Sequence, residues 1–179
     1  GRELPCVICG ASIYRPAWSL RQGHAVTCSD ACLAALRSKP APRLFNRWTR
    51  KSAYVFGLIA SDGCVTDSGC LSFTSLDQDM ARFVVRALGE RASLRHIDRT
   101  PRRTAFRVDL WSVAVVRRLA DLGIAPRKSL TLPWPSVPSS VAWDFLRGII
   151  DGDGWVDKAG RIGITSASPG FMDGLERFL

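Results

Sequence analysis

Apolar residues along this chain gather into two nine-residue runs of one design. They are Val55-Phe56-Gly57-Leu58-Ile59-Ala60-Ser61-Asp62-Gly63 and Leu146-Arg147-Gly148-Ile149-Ile150-Asp151-Gly152-Asp153-Gly154. Each carries a central glycine and ends in Asp-Gly, so each reads as a short helix finishing on a carboxylate. Ser52 before the first, and Ser139 or Ser140 before the second, are placed to accept hydrogen bonds from exposed helix N–H groups. Gly63 and Gly154 are expected in the left-handed conformation that stops a helix. The likeness continues at a constant offset of 91 residues: Gly63-Cys64-Val65 meets Gly154-Trp155-Val156, Thr74-Ser75 meets Thr165-Ser166, and Leu88 meets Leu179. Asp-Gly by itself is ordinary turn chemistry. Two copies in one ungapped register read instead as an internal duplication.

Between the runs the pattern alternates between periods of two and of 3.6 residues. Cys64 to Thr74 brackets Asp67-Ser68-Gly69 as a hairpin, and Asp77 to Leu88 places Met80, Phe83, Val84 and Leu88 on one helical face. A second hairpin is expected over Ser93–Arg99 and Thr104–Trp111, turning at Thr100-Pro101-Arg102-Arg103, followed by a helix from Val113 to Leu122 closed by Gly123. The order αββαββα allows one antiparallel sheet of four strands. Phe106, Val108 and Leu110 would face the helices, while Ala105, Arg107 and Asp109 face away. That opposite face would carry Thr66, Ser72, Thr74, Arg95 and Arg107. Cys64 and Cys70 read as small hydrophobes within the first hairpin.

Charge gives the polar face a purpose. The 179 residues carry a net charge of +9, which favours a polyanionic partner, nucleic acid first. Arginine can donate a bidentate pair to guanine in the major groove, which a two-stranded ribbon can enter, so Arg95 and Arg107 are candidate base readers. Arg99, Arg102 and Arg103 at the hairpin tip are placed for phosphate. No apolar run approaches the ~18 residues of a membrane span. Without a signal-peptide pattern the expected location is intracellular, in cytoplasm, nucleoid or organelle.

Residues 1–36 hold Cys6-x2-Cys9 and Cys28-x3-Cys32, two close pairs separated by a loop. Four thiolates suffice for a closed tetrahedral zinc site, with His24 as a spare ligand and disulfides as the competing reading. Gly10 suits a knuckle, and Ser29 or Asp30 would cap a helix carrying Leu33 and Leu36. The arrangement resembles treble-clef zinc fingers, whose zinc is structural. Residues 37–51 follow as a basic linker: six of its fifteen residues are Lys or Arg and none is acidic. Residues 52–128 form the first repeat, 129–140 a strap with Pro133, Pro135 and Pro138, and 141–179 the second repeat. The second repeat lacks a counterpart to Gly89–Ile124. It is expected to be an incomplete unit, or one that a partner chain completes.

With the doubled Asp-Gly runs in view, the chain from Ser52 to Leu179 resembles the LAGLIDADG homing endonucleases. The resemblance implies an α+β fold of two pseudo-symmetric αββαββα units with antiparallel DNA-binding sheets, here preceded by the zinc module. It implies that Gly57 and Gly148 let two motif helices approach closely, and that Asp62 and Asp153 hold Mg2+ or Mn2+. It implies a lysine near that metal, for which Lys128 is the match by position. The earlier acidic position of the motif is Ala60 in one run and Asp151 in the other, and it is not a metal ligand in the family. The implied activity is metal-dependent, site-specific cleavage of double-stranded DNA at a long target, of the intron-associated homing type, by a pseudo-symmetric monomer. A cleavage-inactive DNA-binding regulator and an RNA-splicing maturase, with RNA as a further partner, stand as alternatives.

Overall fold

The computed structural model describes residues 1–21, 26–38, 42–89, 91–99 and 103–179. Its centre is a pair of helices, α3 (Arg50–Asp62) and α6 (Ser139–Asp153). Helix α3 begins one turn before the expected Ser52. Thr49 is the cap, and Ser52 answers it from the third helical position: Thr49 Oγ1 accepts from Ser52 N at 3.0 Å, and Thr49 N donates to Ser52 Oγ at 2.7 Å. This reciprocal pair satisfies two otherwise orphaned N–H groups. Neither Ser139 nor Ser140 caps α6. Pro138 takes the cap position there without a side-chain hydrogen bond.

Gly63 and Gly154 correct the expectation made of them. Their φ/ψ values of −76°/145° and −82°/164° are extended, because the chain passes straight from helix into strand β3 (Gly63–Val65) or β7 (Gly154–Val156). Glycine is still required, for a different reason. A Cβ at Gly63 would lie 2.8 Å from Ile59 Cα, and one at Gly154 would lie 2.7 Å from Ile150 Cα.

Strand β3 pairs with β4 (Cys70–Ser75), turning at Gly69 with φ of 89°. Helix α4 (Gln78–Leu88) follows, its cap Asp77 accepting from Asp79 N and Met80 N. Strands β5 (Ala92–Arg99) and β6 (Arg103–Trp111) complete an antiparallel sheet in the order β3-β4-β6-β5. One face buries Leu71, Phe73, Val108 and Leu110 against the helices, with helix α5 (Val113–Asp121) adding Val115 and Leu119. Burial of these side chains contributes about 25 cal/mol per Å² of apolar surface removed from water.

The second run repeats part of this order. After α6 come β7 and β8 (Ile162–Ile164), paired only with each other among the described residues, then helix α7 (Pro169–Phe178). The proline-rich strap is seated by Trp134. Its ring lies 5.6 Å from Phe145, 5.4 Å from Phe171 and 5.2 Å from Phe178, and Ser168 Oγ donates to Leu132 O at 2.6 Å.

At the other end of the chain, β1 (Arg2–Pro5) and β2 (Ser12–Arg15) form a small hairpin, followed by α1 (Ala17–Arg21) and α2 (Asp30–Ser38). The stretch read as a basic linker is built into the molecule on both sides. Arg37 lies over the Trp111 ring at 5.0 Å, and Phe45 is buried in the core against Phe56. His24 and Arg102 lie outside the described residues. So do the side chains of Arg99 and Arg103, whose backbones pair at the end of the β5–β6 ladder.

Candidate metal centre and nucleic-acid face

Helices α3 and α6 touch backbone to backbone. A Cβ added to Gly57 would sit 2.8 Å from Gly148 Cα and 2.9 Å from Ile149 N, while one on Gly148 would sit 2.9 Å from both Gly57 Cα and Leu58 N. The two central glycines therefore face each other at the crossing, where only hydrogen fits. A third glycine shares the contact: a Cβ on Gly152 would meet the Ser61 side chain and stand 3.1 Å from Asp62 Oδ2. Gly152 occupies the second-run position equivalent to Ser61, so the two small residues divide one narrow space. Obstruction by backbone cannot be relieved by a rotamer change. Gly57→Ala is expected to lower stability by about 2–3 kcal/mol through overpacking, read as a lower midpoint in denaturant titration. Gly152→Ala meets mainly a side chain and should cost less. A Gly57→Ala protein as stable as the parent would show that the helices do not cross here.

This crossing sets Asp62 and Asp153 side by side where the helices end. Asp62 is solvent-exposed, yet its carboxyl is held above the ordinary carboxylate range. Burial in the surrounding protein is the main cause and the Asp153 charge the second, with Lys128 opposing both. Lys128 stands on the short 3-10 turn Lys128–Leu130, preceded by Arg127 at a left-handed φ of 62°. It is 9% exposed, and its Nζ donates to Ser61 O at 2.9 Å. Burial pulls its pKa below the usual lysine value, against the attraction of Asp153 and Asp62. Two carboxylates and one buried ammonium thus act on one another where the helices end.

Asp151 has a different duty. Its Oδ2 accepts from Tyr54 Oη at 2.7 Å across the helix pair, Arg147 stacks on the Tyr54 ring at 4.5 Å, and burial and the Asp151 bond push the Tyr54 hydroxyl up to about 12. This set fixes how α6 lies on α3. The chemistry of the Asp62–Asp153 pair fits a hard divalent cation such as Mg2+, which takes carboxylate oxygens and relieves repulsion between them.

The four N-terminal cysteines converge as their spacing suggests. Sγ of Cys6, Cys9, Cys28 and Cys32 all lie within 4.8 Å of one another, with Cys9–Cys28 at 3.4 Å and Cys28–Cys32 at 3.5 Å. Tetrahedral zinc with Zn–S of about 2.3 Å separates its sulfurs by about 3.8 Å, so the set fits structural Zn2+. All six cysteines are free thiols. Gly10 turns with φ of 77°, its N donating to Cys6 O at 2.9 Å. Backbone N–H groups of Cys9 and Ile8 hold the Cys6 thiol down to about 6. Hydrogen bonds with Cys9, Cys32 and Cys6 push the Cys28 thiol up to about 12. Ser29 Oγ accepts from Cys32 N at 3.2 Å and thereby starts α2.

On the sheet, Ser72, Arg95 and Arg107 are brought together, but as a bonded set and not as separate surface groups. All three donate to Asp109, which is buried. Burial alone would raise the Asp109 carboxyl, and the bonds from Ser72, Arg95 and Arg107 outweigh it and hold the group below its usual range. Thr66 Oγ1 is turned inward to accept from Cys70 N at 3.1 Å, while Thr74 stands opposite Arg107 in the ladder. Cys70 is buried as expected of a small hydrophobe, whereas Cys64 is exposed.

Two helices crossing at paired glycines, each ending on a carboxylate beside an antiparallel sheet, make up a mixed α/β architecture consistent with a LAGLIDADG fold. Residues 140–179 match the family model described as a LAGLIDADG-like domain, which supports that family for this part of the chain. No curated protein matches the chain. Among the described residues no helix is long and apolar enough to cross a membrane.

Proposed function

We propose that the chain binds double-stranded DNA on the polar face of its four-stranded sheet and hydrolyses phosphodiester bonds at the feet of α3 and α6. One observation carries the reading: Asp62, Asp153 and Lys128 converge at the end of a glycine-apposed helix pair, on either side of the boundary of the matched segment. Asp62 and Asp153 would hold Mg2+ or Mn2+. When bound, such a cation activates water and stabilises the oxygen that leaves. Lys128, anchored on the Ser61 carbonyl, supplies a fixed positive charge beside the phosphate as negative charge builds on it. Its low exposure keeps that charge from being screened by water.

A homing-type activity at a long target follows if both helix ends act together, one on each strand. The four-cysteine module, zinc-bound, would be structural. Its closed ligand set leaves no position for water.

The deciding experiment incubates the purified chain with a randomised duplex library in Mg2+ and, separately, in Ca2+, and sequences the ends produced. Cuts at a shared sequence in Mg2+ with retained binding in Ca2+ are expected. Selective duplex binding with no cut in Mg2+ or Mn2+ would overturn the nuclease and leave a DNA-binding protein.

A further inference from the structure

The polar face of the sheet hides a carboxylate that the proposed chemistry does not use. Asp109 is 3% exposed although it lies on the face turned away from the helices. A buried carboxylate persists only where hydrogen bonds replace its water. Here Ser72 Oγ donates to Asp109 Oδ1 at 2.6 Å, Arg107 Nε donates to the same oxygen at 2.8 Å, and Arg95 Nη2 donates to Oδ2. Arg107 Nη2 in turn donates to Ser72 Oγ at 2.8 Å. The serine hydroxyl therefore gives its one proton to Asp109 and receives one from Arg107, which closes a ring. Strand register brings the members together. Asp109 sits opposite Ser72 on β4, Arg107 sits opposite Arg95 on β5, and Arg107 and Asp109 are two residues apart on one strand.

The ring decides which part of Arg107 is offered outward. A guanidinium has five N–H donors in a rigid fork. Asp109 and Ser72 occupy Nε and one hydrogen of Nη2, which together are its side-on edge. Of the three that remain, one N–H on each terminal nitrogen points end-on and parallel to the other, on a side chain that is 39% exposed. Two parallel donors match O6 and N7 of guanine in the major groove. Anchoring removes rotamer freedom before DNA arrives, so less ordering entropy opposes binding. The single carboxylate also cancels one of the two guanidinium charges, which weakens the pull toward phosphate relative to the pull toward a base edge.

We propose that Asp109 is a positioning residue that, with Ser72, holds Arg107 as an end-on reader of one guanine in duplex DNA, while Arg95 braces the second carboxylate oxygen. This rests on the DNA-binding reading above and adds to it a specificity device.

The test compares the parent chain with Asp109→Asn, Ser72→Ala, Arg107→Lys and the Asp109→Asn/Arg107→Lys double variant. Each is selected against a randomised duplex library, then titrated with the best-selected duplex and with a mixed-sequence duplex, beside a circular-dichroism melt. The parent should prefer guanine at one position, and Arg107→Lys should lose roughly 10–100-fold of that preference. Asp109→Asn should lose a comparable share while binding mixed-sequence duplex as well as or better than the parent, because a negative charge has gone. The double variant should select no worse than either single variant. Should Asp109→Asn fail to fold, Ser72→Ala decides: it keeps the carboxylate, breaks the ring, and should lose guanine preference several-fold with mixed-sequence affinity unchanged. The proposal is overturned if the foldable variants keep full guanine preference, or lose selected and mixed-sequence affinity by one common factor. A parent chain that binds no duplex overturns the DNA reading itself, and this assignment with it.

Discussion

Replacing Asp62 or Asp153 with asparagine should abolish strand cleavage, by on the order of 10³-fold or more, while leaving duplex affinity intact. The two carboxylates stand where α3 and α6 end, and burial, with the Asp153 charge second, holds the Asp62 carboxyl above its ordinary range. Asparagine keeps the shape but supplies a neutral, weaker ligand. In the absence of a divalent cation, binding should even improve, since one repulsive charge beside the phosphate has gone. Asp151→Asn makes the contrast. Asp151 accepts from Tyr54 across the helix pair, so its loss should cost about 1 kcal/mol of stability and little cleavage. Strand-resolved cleavage beside a binding titration reads all three variants. Cleavage that dies in Asp151→Asn and survives in Asp62→Asn would remove the two-helix centre proposed here.

Stripping zinc should have the other large effect. One equivalent per chain is expected, and chelation or Cys28→Ser should unfold residues 1–38, because a structural zinc site contributes roughly 10 kcal/mol or more of apparent binding energy to so small a module. The damage should reach the sheet. Arg91 Nη2 donates to both Leu36 O at 2.7 Å and Trp111 O at 2.9 Å, and Arg37 stacks on Trp111, so α2 is riveted to the end of β6. Metal analysis with tryptophan fluorescence during chelation checks both statements. Zinc content well below half an equivalent in freshly purified protein would count against the site, and a fluorescence trace unmoved by metal loss would count against the rivet.

The helices were legible because a 3.6-residue period, a mid-run glycine and a terminal Asp-Gly recur in one register. Their ends were less so. Thr49 and Ser52 are both hydroxyl residues three apart, and the choice of Thr49 as cap, with Ser52 answering it, depends on where α3 meets Arg47 and the core. Gly63 and Gly154 announced a stop, but a helix can stop by entering a strand as well as by turning left-handed. The cysteine cluster was legible because its ligands are local pairs.

Lys128 could be matched only by resemblance, since its approach to Ser61 spans 67 residues of chain. The polar face of the sheet was legible as a list of residues and not as a circuit. Alternation puts Arg107 and Asp109 on one side, and nothing local reveals that Ser72, 37 residues earlier, sits opposite Asp109 and completes the ring. The signal was present in one form: Asp109 is the single acidic residue among the polar-face positions of a strand otherwise flanked by arginine.

The two units that meet at the glycine crossing are unequal in what holds them. Strand β4 is paired on both edges, by β3 and β6, and lies over a buried face. Strand β8 is paired on one edge among the described residues, and the β7–β8 hairpin leaves Trp155 53% exposed, with Val156 and Ile162 open beside it. A two-stranded hairpin has little stability of its own. Local opening should therefore begin at β7–β8, and its amide protons should exchange with deuterium well before those of β4 and β6. Since β7 starts at the residue after Asp153, opening of this hairpin would begin right next to one of the two carboxylates.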